Sequence, residues 1–324
     1  MNRKLFLCAA LLVFCLAAFY ASTHAGSPQA DASARAMNQP VKPFHIIGNI
    51  YYVGASDVTS FLIVTPAGDI LLDGGFVETA PQIEANIRAL GFHLRDVKIL
   101  LNSHAHYDHA GGLSDIQRAT GAKFYASAAD APSLAAGGRG DFYFGDSLPF
   151  SPVKPSRLLS DGDTVRIGGT VMTARVTPGH TKGCTTWTTT TEENDKPLHV
   201  VFVCSTSVLD GYHLVKNAAY PHIATDYEKT FRILRSLPCD VFLGSHGSFF
   251  ALTAKRAAML RGVKPNPFID PAGYRSYLDR SEAAFREDLR RQLQQQKNSN
   301  ATGAAQHGIR PLAETELSRY SFPR

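Results

Sequence analysis

From Phe44 onward, short apolar runs rich in β-branched and aromatic residues are separated by polar, Gly- and Pro-containing turns. They read HIIGNIYYVG, TSFLIVT, DILLDGG, VKILLNSH, AKFYAS, TVMTARVTPGH, CTTWTTTT, LHVVFVCSTS and CDVFLGSH, and each has the length and bounding residues of a strand. Elsewhere the period changes. ETAPQIEANIRALG places Ile83, Ile87 and Leu90 on one helical face, and DYEKTFRILRSL does the same with Phe231, Leu234 and Leu237. From Tyr274 to about Lys297 charge and Gln content rise around Tyr277, Phe285 and Leu289, which predicts a long amphipathic helix packed on the body. Strands first, then strands alternating with helices, predict a sheet-centred α/β domain with helices over its faces. The passage from sheet-like to helix-like segments occurs twice, without a sequence repeat.

The two ends read differently. Arg3-Lys4, the apolar run LFLCAALLVFCLAAFYA and the small-residue ending before Gly26 have the layout of a secretory signal peptide, predicting a segment 1–25 that is removed on export. Phe14 is too bulky for a lipid-attachment site at Cys15. The expected location is therefore periplasmic or secreted, with no membrane contact after cleavage. Residues 26–43 are small, polar and Pro-containing and predict a flexible lead-in, residues 44–297 form the folded domain, and residues 298–324 predict a mobile tail.

Composition narrows the class. The 324 residues are 44% apolar and 19% charged, ordinary for a folded domain, and the net charge of +5 falls to +3 once Arg3 and Lys4 leave. Basic residues are scattered rather than gathered, so nucleic acid is not an expected partner; a monomer acting on a small molecule is. Beyond the signal segment only Cys184, Cys204 and Cys239 remain, an odd number at wide spacing that does not read as a disulfide framework. Cys204 reads as a buried strand cysteine.

The densest chemistry lies in NSHAHYDHAGG, where His104, His106, Asp108 and His109 fall within six residues after the strand-like VKILL. In extended chain, residues i and i+2 point the same way, so His104 and His106 can reach one ion. As the chain turns, Asp108 and His109 can face a second. Burying three imidazoles and a carboxylate without a cation would cost several kcal/mol, and nitrogen and oxygen donors at this density suit Zn²⁺. His180, ending ARVTPGH, and His246, ending CDVFLGSH, also follow apolar strands, which places all six residues at one sheet edge.

His-x-His-x-Asp-His, then Gly-His-Thr-x-Gly, then a late strand-end histidine resembles the metallo-β-lactamase superfamily from about Phe44 to about Arg291. The resemblance implies an αββα four-layer sandwich, two mixed β-sheets with helices on the outer faces, and two Zn²⁺ ions at one edge. It also implies the ligand sets: His104, His106 and His180 for the first zinc; Asp108, His109 and His246 for the second.

Several relatives, including glyoxalase II and quorum-signal lactonases, bridge their metals with an aspartate on the strand that here runs LHVVFVCSTSV and ends in Cys204, Ser205, Thr206 and Ser207. That carboxylate is missing, and Asp210 lies several residues further on. The pattern is most similar to subclass B3 of the β-lactamases, to which GGRGDFYFGD, YPHIATDY and NPFIDPAGYRSYLDRSEAAFREDL also bear likeness. The implied activity is hydrolysis of penicillins, cephalosporins or carbapenems by zinc-bound hydroxide, giving antibiotic resistance, with Asp108 orienting the hydroxide. Thr206 and Tyr212 stand as oxyanion or substrate contacts, and Phe142, Phe144, Ser207 and Ser248 as further substrate contacts. Another di-zinc hydrolase of the superfamily, for a lactone or thioester, is the alternative.

Overall fold

The computed structural model describes residues 28–307; the predicted signal segment lies outside the described residues. Helix α1 (Pro28–Met37) stands where composition predicts a flexible lead-in. Its Met37 carbonyl accepts the backbone N–H groups of Asp57 (3.0 Å) and Val58 (3.2 Å). This docking is a tertiary contact that the segment's polar composition does not announce.

Twelve strands form two sheets among the described residues. The first sheet runs in chain order through β1 (Phe44–Ile47), β2 (Ile50–Tyr52), β3 (Phe61–Ile63), β4 (Asp69–Leu72), β5 (Val97–Leu101), β6 (Lys123–Ser127) and β7 (Arg157–Leu159). It is antiparallel as far as β4 and parallel from there on. The second has the order β12 (Val241–Gly244), β11 (Lys196–Val203), β10 (Thr185–Glu193), β9 (Thr170–Val176), β8 (Thr164–Ile167), with only β11 and β12 parallel. HIIGNIYYVG is two strands rather than one, because Gly48 turns back at φ 51°. The short β7 and β8 are further additions to the predicted runs.

Period-two alternation assigns the faces. In β4, Ile70 and Leu72 enter the core between the sheets, whereas Leu71 joins the outer core; Ile99 and Leu101 of β5 divide from Leu100 in the same way. Over the outer face of the first sheet lie α2 (Ala80–Ala89), through Ile83 and Ile87, and α4 (Leu113–Thr120), through Leu113 and Ile116. The second sheet is covered by α6 (Ile223–Ser236) and α8 (Pro271–His307). Leu234, Tyr274, Tyr277 and Leu278 reach its core, while Phe231, Phe285 and Leu289 pack the two helices together. The result is the expected four-layer αββα sandwich. Helix α8 runs on to His307, past the Lys297 at which the amphipathic pattern fades; residues 308–324 lie outside the described residues. No helix among the described residues is long and apolar enough to cross a membrane.

At one edge a hydrogen bond joins the two sheets and a disulfide ties two strands of the second. Trp187 of β10, wholly buried, donates its indole N–H to the Asn102 carbonyl at the end of β5 (3.0 Å). Cys184 and Cys204 form a disulfide with Cα atoms 5.9 Å apart, contrary to the reading of the cysteine spacing. The register explains it: Trp187 opposes Phe202 in the β10–β11 hairpin, so residues near 184 and 204 are neighbours across it. Cys239 remains a free, half-buried thiol.

Replacing Trp187 by Phe should leave the Asn102 carbonyl buried without its donor. The expected loss is roughly 1–3 kcal/mol of unfolding free energy, measured by urea denaturation followed by far-ultraviolet circular dichroism. An unchanged midpoint would remove this bond from the account of how the sheets are joined.

Candidate metal centre

The end of β5 is fixed before it delivers any functional side chain. Asp73, following β4 at φ 66°, accepts Asn102 Nδ2 (3.0 Å) and Ser103 N (2.6 Å) on Oδ1. Its Oδ2 stands 3.6 Å from His109 Nδ1. Beyond Ser103 the chain bends, with His106 extended, and then turns into the short helix α3 (Tyr107–Ala110), which carries Asp108 and His109. The Gly111-Gly112 pair that follows lies against the Asp73-Gly74-Gly75 backbone, and a Cβ on Gly112 would collide with the Gly74 carbonyl oxygen. The glycines are there because two backbones touch.

All six sequence-predicted ligands converge. One donor atom from each of His104, His106 and His180 lies within 4.8 Å of the others. The remaining three are tighter. His109 Nε2 is 3.2 Å from His246 Nε2 and 3.2 Å from Asp108 Oδ2, and His246 Nε2 is 3.6 Å from the same oxygen. Donors bound to one tetrahedral zinc at about 2.0–2.1 Å would be about 3.3 Å apart. Further, His104 Nε2 and His106 Nε2 are buried without a hydrogen-bond partner among the described residues. Unpartnered buried nitrogens and a carboxylate in this spacing fit a cation site.

The polypeptide alone prepares the donors unequally. Burial, and then neighbouring imidazoles, hold His104 and His106 well below the ordinary histidine range, and burial takes His180 down to about 4. These three are neutral at pH 7 with a lone pair to give. Burial also opposes charge on Asp108 and His109, but each other's charge outweighs it. Asp108 lies well below the carboxylate range and His109 is pushed up to about 10, with Asp73 adding to the effect.

Second-layer hydrogen bonds set the ring orientations. His180 Nδ1 contacts the Ser207 carbonyl (2.9 Å), and His246 Nδ1 contacts Asp57 Oδ2 (3.0 Å), which turns each Nε2 inward. Asp57 also accepts Ser248 N at 2.7 Å. Asp130 joins the two ligand loops. It accepts Ala105 N (3.0 Å) and Thr181 Oγ1 (2.8 Å) on Oδ2 and Gly183 N (2.7 Å) on Oδ1, and burial raises its pKa to about 6 against those three bonds. Asp57, Asp73 and Asp130 were not singled out by the sequence. Asp73 stands in DILLDGG, at a strand end before glycines like the histidines, and this was its available signal. Asp57 and Asp130 had none.

Of the predicted substrate contacts, several are otherwise engaged. Thr206 is buried, with its hydroxyl 2.7 Å from Tyr277 Oη on α8. Tyr212 is buried and donates to the His180 carbonyl (2.9 Å). Neither presents a hydroxyl to a substrate; Tyr212 instead supports the His180 loop. Phe142 packs on Tyr212 and Tyr220, with ring centroids 5.1 Å away in each case. Phe144 does face the centre, 5.1 Å from the His106 ring. Tyr143 bridges to the opposite loop by donating to the Asp210 carbonyl at 2.5 Å. Asp141 caps this turn by accepting Tyr143 N and Phe144 N (both 2.8 Å), while its Oδ2 lies 3.9 Å from His106 Nε2. Ser207 is half-buried and Ser248 exposed at the rim. Asp210 is exposed and outside the cluster, and no acid lies between residues 197 and 209.

Comparison with known proteins places these features. The profile of the metallo-β-lactamase superfamily matches residues 53–246. The FEZ-1 metallo-β-lactamase of Legionella gormanii is 43% identical and superposes with a TM-score of 0.77 over 79% of this chain and 98% of that one. BJP-1, a subclass B3 metallo-β-lactamase of Bradyrhizobium japonicum, is 37% identical with a TM-score of 0.74, covering 79% of this chain and 97% of its own. A hydroxyacylglutathione hydrolase of a Jannaschia species is 34% identical over 107 residues, 33% of this chain. The match spans about a third (34%) of that curated relative's length.

Asp130→Ala should leave two backbone N–H groups and a hydroxyl without their shared acceptor and loosen both ligand loops. Metal affinity is expected to fall about 10- to 100-fold, as read by competition with a chromophoric chelator. Wild-type affinity in a folded Asp130→Ala protein would show that the loops are held by other means.

Proposed function

This chain belongs to the metallo-β-lactamase superfamily and is a hydrolase, and from that premise we propose that it opens the amide bond of β-lactams at a centre holding two zinc ions. His104, His106 and His180 would hold one ion, and Asp108, His109 and His246 the other. Zinc bound there supplies Lewis acidity toward a carbonyl oxygen and lowers the pKa of water.

The chain's own residues contribute position and proton control. Asp108 Oδ2 is turned to the imidazoles of His109 and His246; its second oxygen is assigned to the attacking water, as hydrogen-bond acceptor. Phe144 gives the groove an apolar wall beside His106. The Tyr143 bridge to Asp210 sets the distance between the two loops flanking the centre.

The observation that carries the β-lactam reading is the end of β11. Cys204, Ser205 and Thr206 stand where related thioester and lactone hydrolases carry a bridging aspartate, and no acid lies between residues 197 and 209. Likeness to FEZ-1 over 98% of that protein's length supports it. Thioester hydrolysis is the second reading, favoured by the likeness to hydroxyacylglutathione hydrolase over 107 residues. Export to the periplasm or medium, action as a monomer and a role in antibiotic resistance complete the proposal; the leader-like residues 1–25 support export.

The test is ultraviolet-monitored hydrolysis of a cephalosporin and a carbapenem, beside a lactone and a thioester, before and after treatment with a chelator. Ring opening that the chelator abolishes and zinc restores is expected. Asp108→Ala should lower kcat/KM by about 10²–10⁴-fold, the range for loss of a positioned proton acceptor. Thioester turnover without β-lactam turnover by the zinc-loaded protein would replace the first reading with the second.

A further inference from the structure

The Cys184–Cys204 disulfide lies directly behind His104. Cys204 Sγ is 3.7 Å from His104 Nδ1 and 3.2 Å from the Ser103 carbonyl oxygen. One donor atom from each of His104, Cys184 and Cys204 lies within 4.8 Å of the others, and all three residues are buried. His104 Nδ1 therefore faces sulfur and the Ser103 hydroxyl, which stands 3.0 Å away and would have to turn aside for a cation, while its unpartnered Nε2 is the nitrogen left for the histidine cluster.

We propose that reduction of this disulfide creates a separate buried site, Cys184–Cys204–His104 Nδ1, for a thiophilic divalent cation, and that the closed disulfide keeps His104 available to the histidine cluster. The dimensions agree. Across a tetrahedral zinc with Zn–S about 2.3 Å and Zn–N about 2.0 Å, nitrogen and sulfur are about 3.6 Å apart and two sulfurs about 3.8 Å. Nitrogen and sulfur already stand at 3.7 Å. The sulfurs must separate, which side-chain rotation on Cα atoms 5.9 Å apart allows.

The chemistry balances with a dithiol as reductant. It supplies two electrons and two protons and closes to its own cyclic disulfide, while the S–S bond between Cys184 and Cys204 breaks to give two thiols. Cation binding then releases both thiol protons. A neutral imidazole has one lone pair and one N–H. If Nδ1 binds a cation behind the ring, Nε2 carries the proton and is lost to the cluster in front. The two sites thus compete for one side chain, and which wins depends on whether the sulfurs are joined.

The test uses the full chain, expressed and purified under a dithiol so that the pair never closes, then freed of metal and reductant without air. The same protein after oxidation is titrated in parallel, and the probe is Co²⁺. Sulfur-to-cobalt charge-transfer absorption in the near ultraviolet, gained at the expense of cobalt in the histidine cluster, is expected of the reduced protein alone. A paramagnetically shifted, exchangeable imidazole N–H resonance that cobalt-loaded oxidised protein lacks would report cobalt on His104 Nδ1. The absorption should vanish in the reduced Cys184→Ser/Cys204→Ser double variant, which retains Cys8, Cys15 and Cys239. Equal absorption in oxidised and reduced protein, or the same band in the double variant, would overturn the proposal. Should the double variant not fold, Cys204→Ala alone serves, with the same band in that variant counting against the site.

Discussion

The structure depends on the cost of gathering six converging donor side chains, four of them buried, where two β-sheets meet. Two of their nitrogens, His104 Nε2 and His106 Nε2, have no partner among the described residues, and an isolated polar group in such surroundings costs several kcal/mol. A cation would satisfy these converging donors at once. The remainder of the edge can be understood as the framework that keeps these donors from relaxing away from one another or from finding partners elsewhere.

That framework consists of hydrogen bonds made by residues that do not themselves face the centre. Asp73 fixes the exit of β5, Asp130 ties the His104–His106 loop to the His180 loop, and Asp57 orients His246. Tyr212 and Tyr227 hold the backbone around His180 and Ser207 through their hydroxyls. Trp187 anchors the strand that follows to the opposite sheet. Each places a rigid group against a loop, so the six donors are positioned by the sandwich as a whole. The same economy puts a disulfide against the back of a ligand, where sulfur chemistry and metal chemistry share one imidazole.

The groove in front of the centre is built on different terms. Its wall comes from an exposed turn, capped by Asp141 and bridged by Tyr143 to the loop at Asp210. Aromatic contacts of Phe142 and Tyr143 with the buried Tyr212 hold this turn in place.

The sequence by itself determined most of the strands, the principal helices and all six clustered side chains, while the sandwich came from the resemblance those residues carry. These features are local: period-two runs, amphipathic faces, and histidines at strand ends followed by glycine. What only the tertiary structure decided are pairings between residues far apart in the chain. The cysteines at 184 and 204 became a disulfide through hairpin register. Thr206 and Tyr212 turned from expected substrate contacts into internal supports because α8 and the His180 loop lie against them. Asp57 and Asp130 acquired roles only once their distant partners arrived. A side chain's composition and spacing fix what chemistry it can do, but its partner and the direction it faces are set by which elements pack beside it, and no local pattern records that.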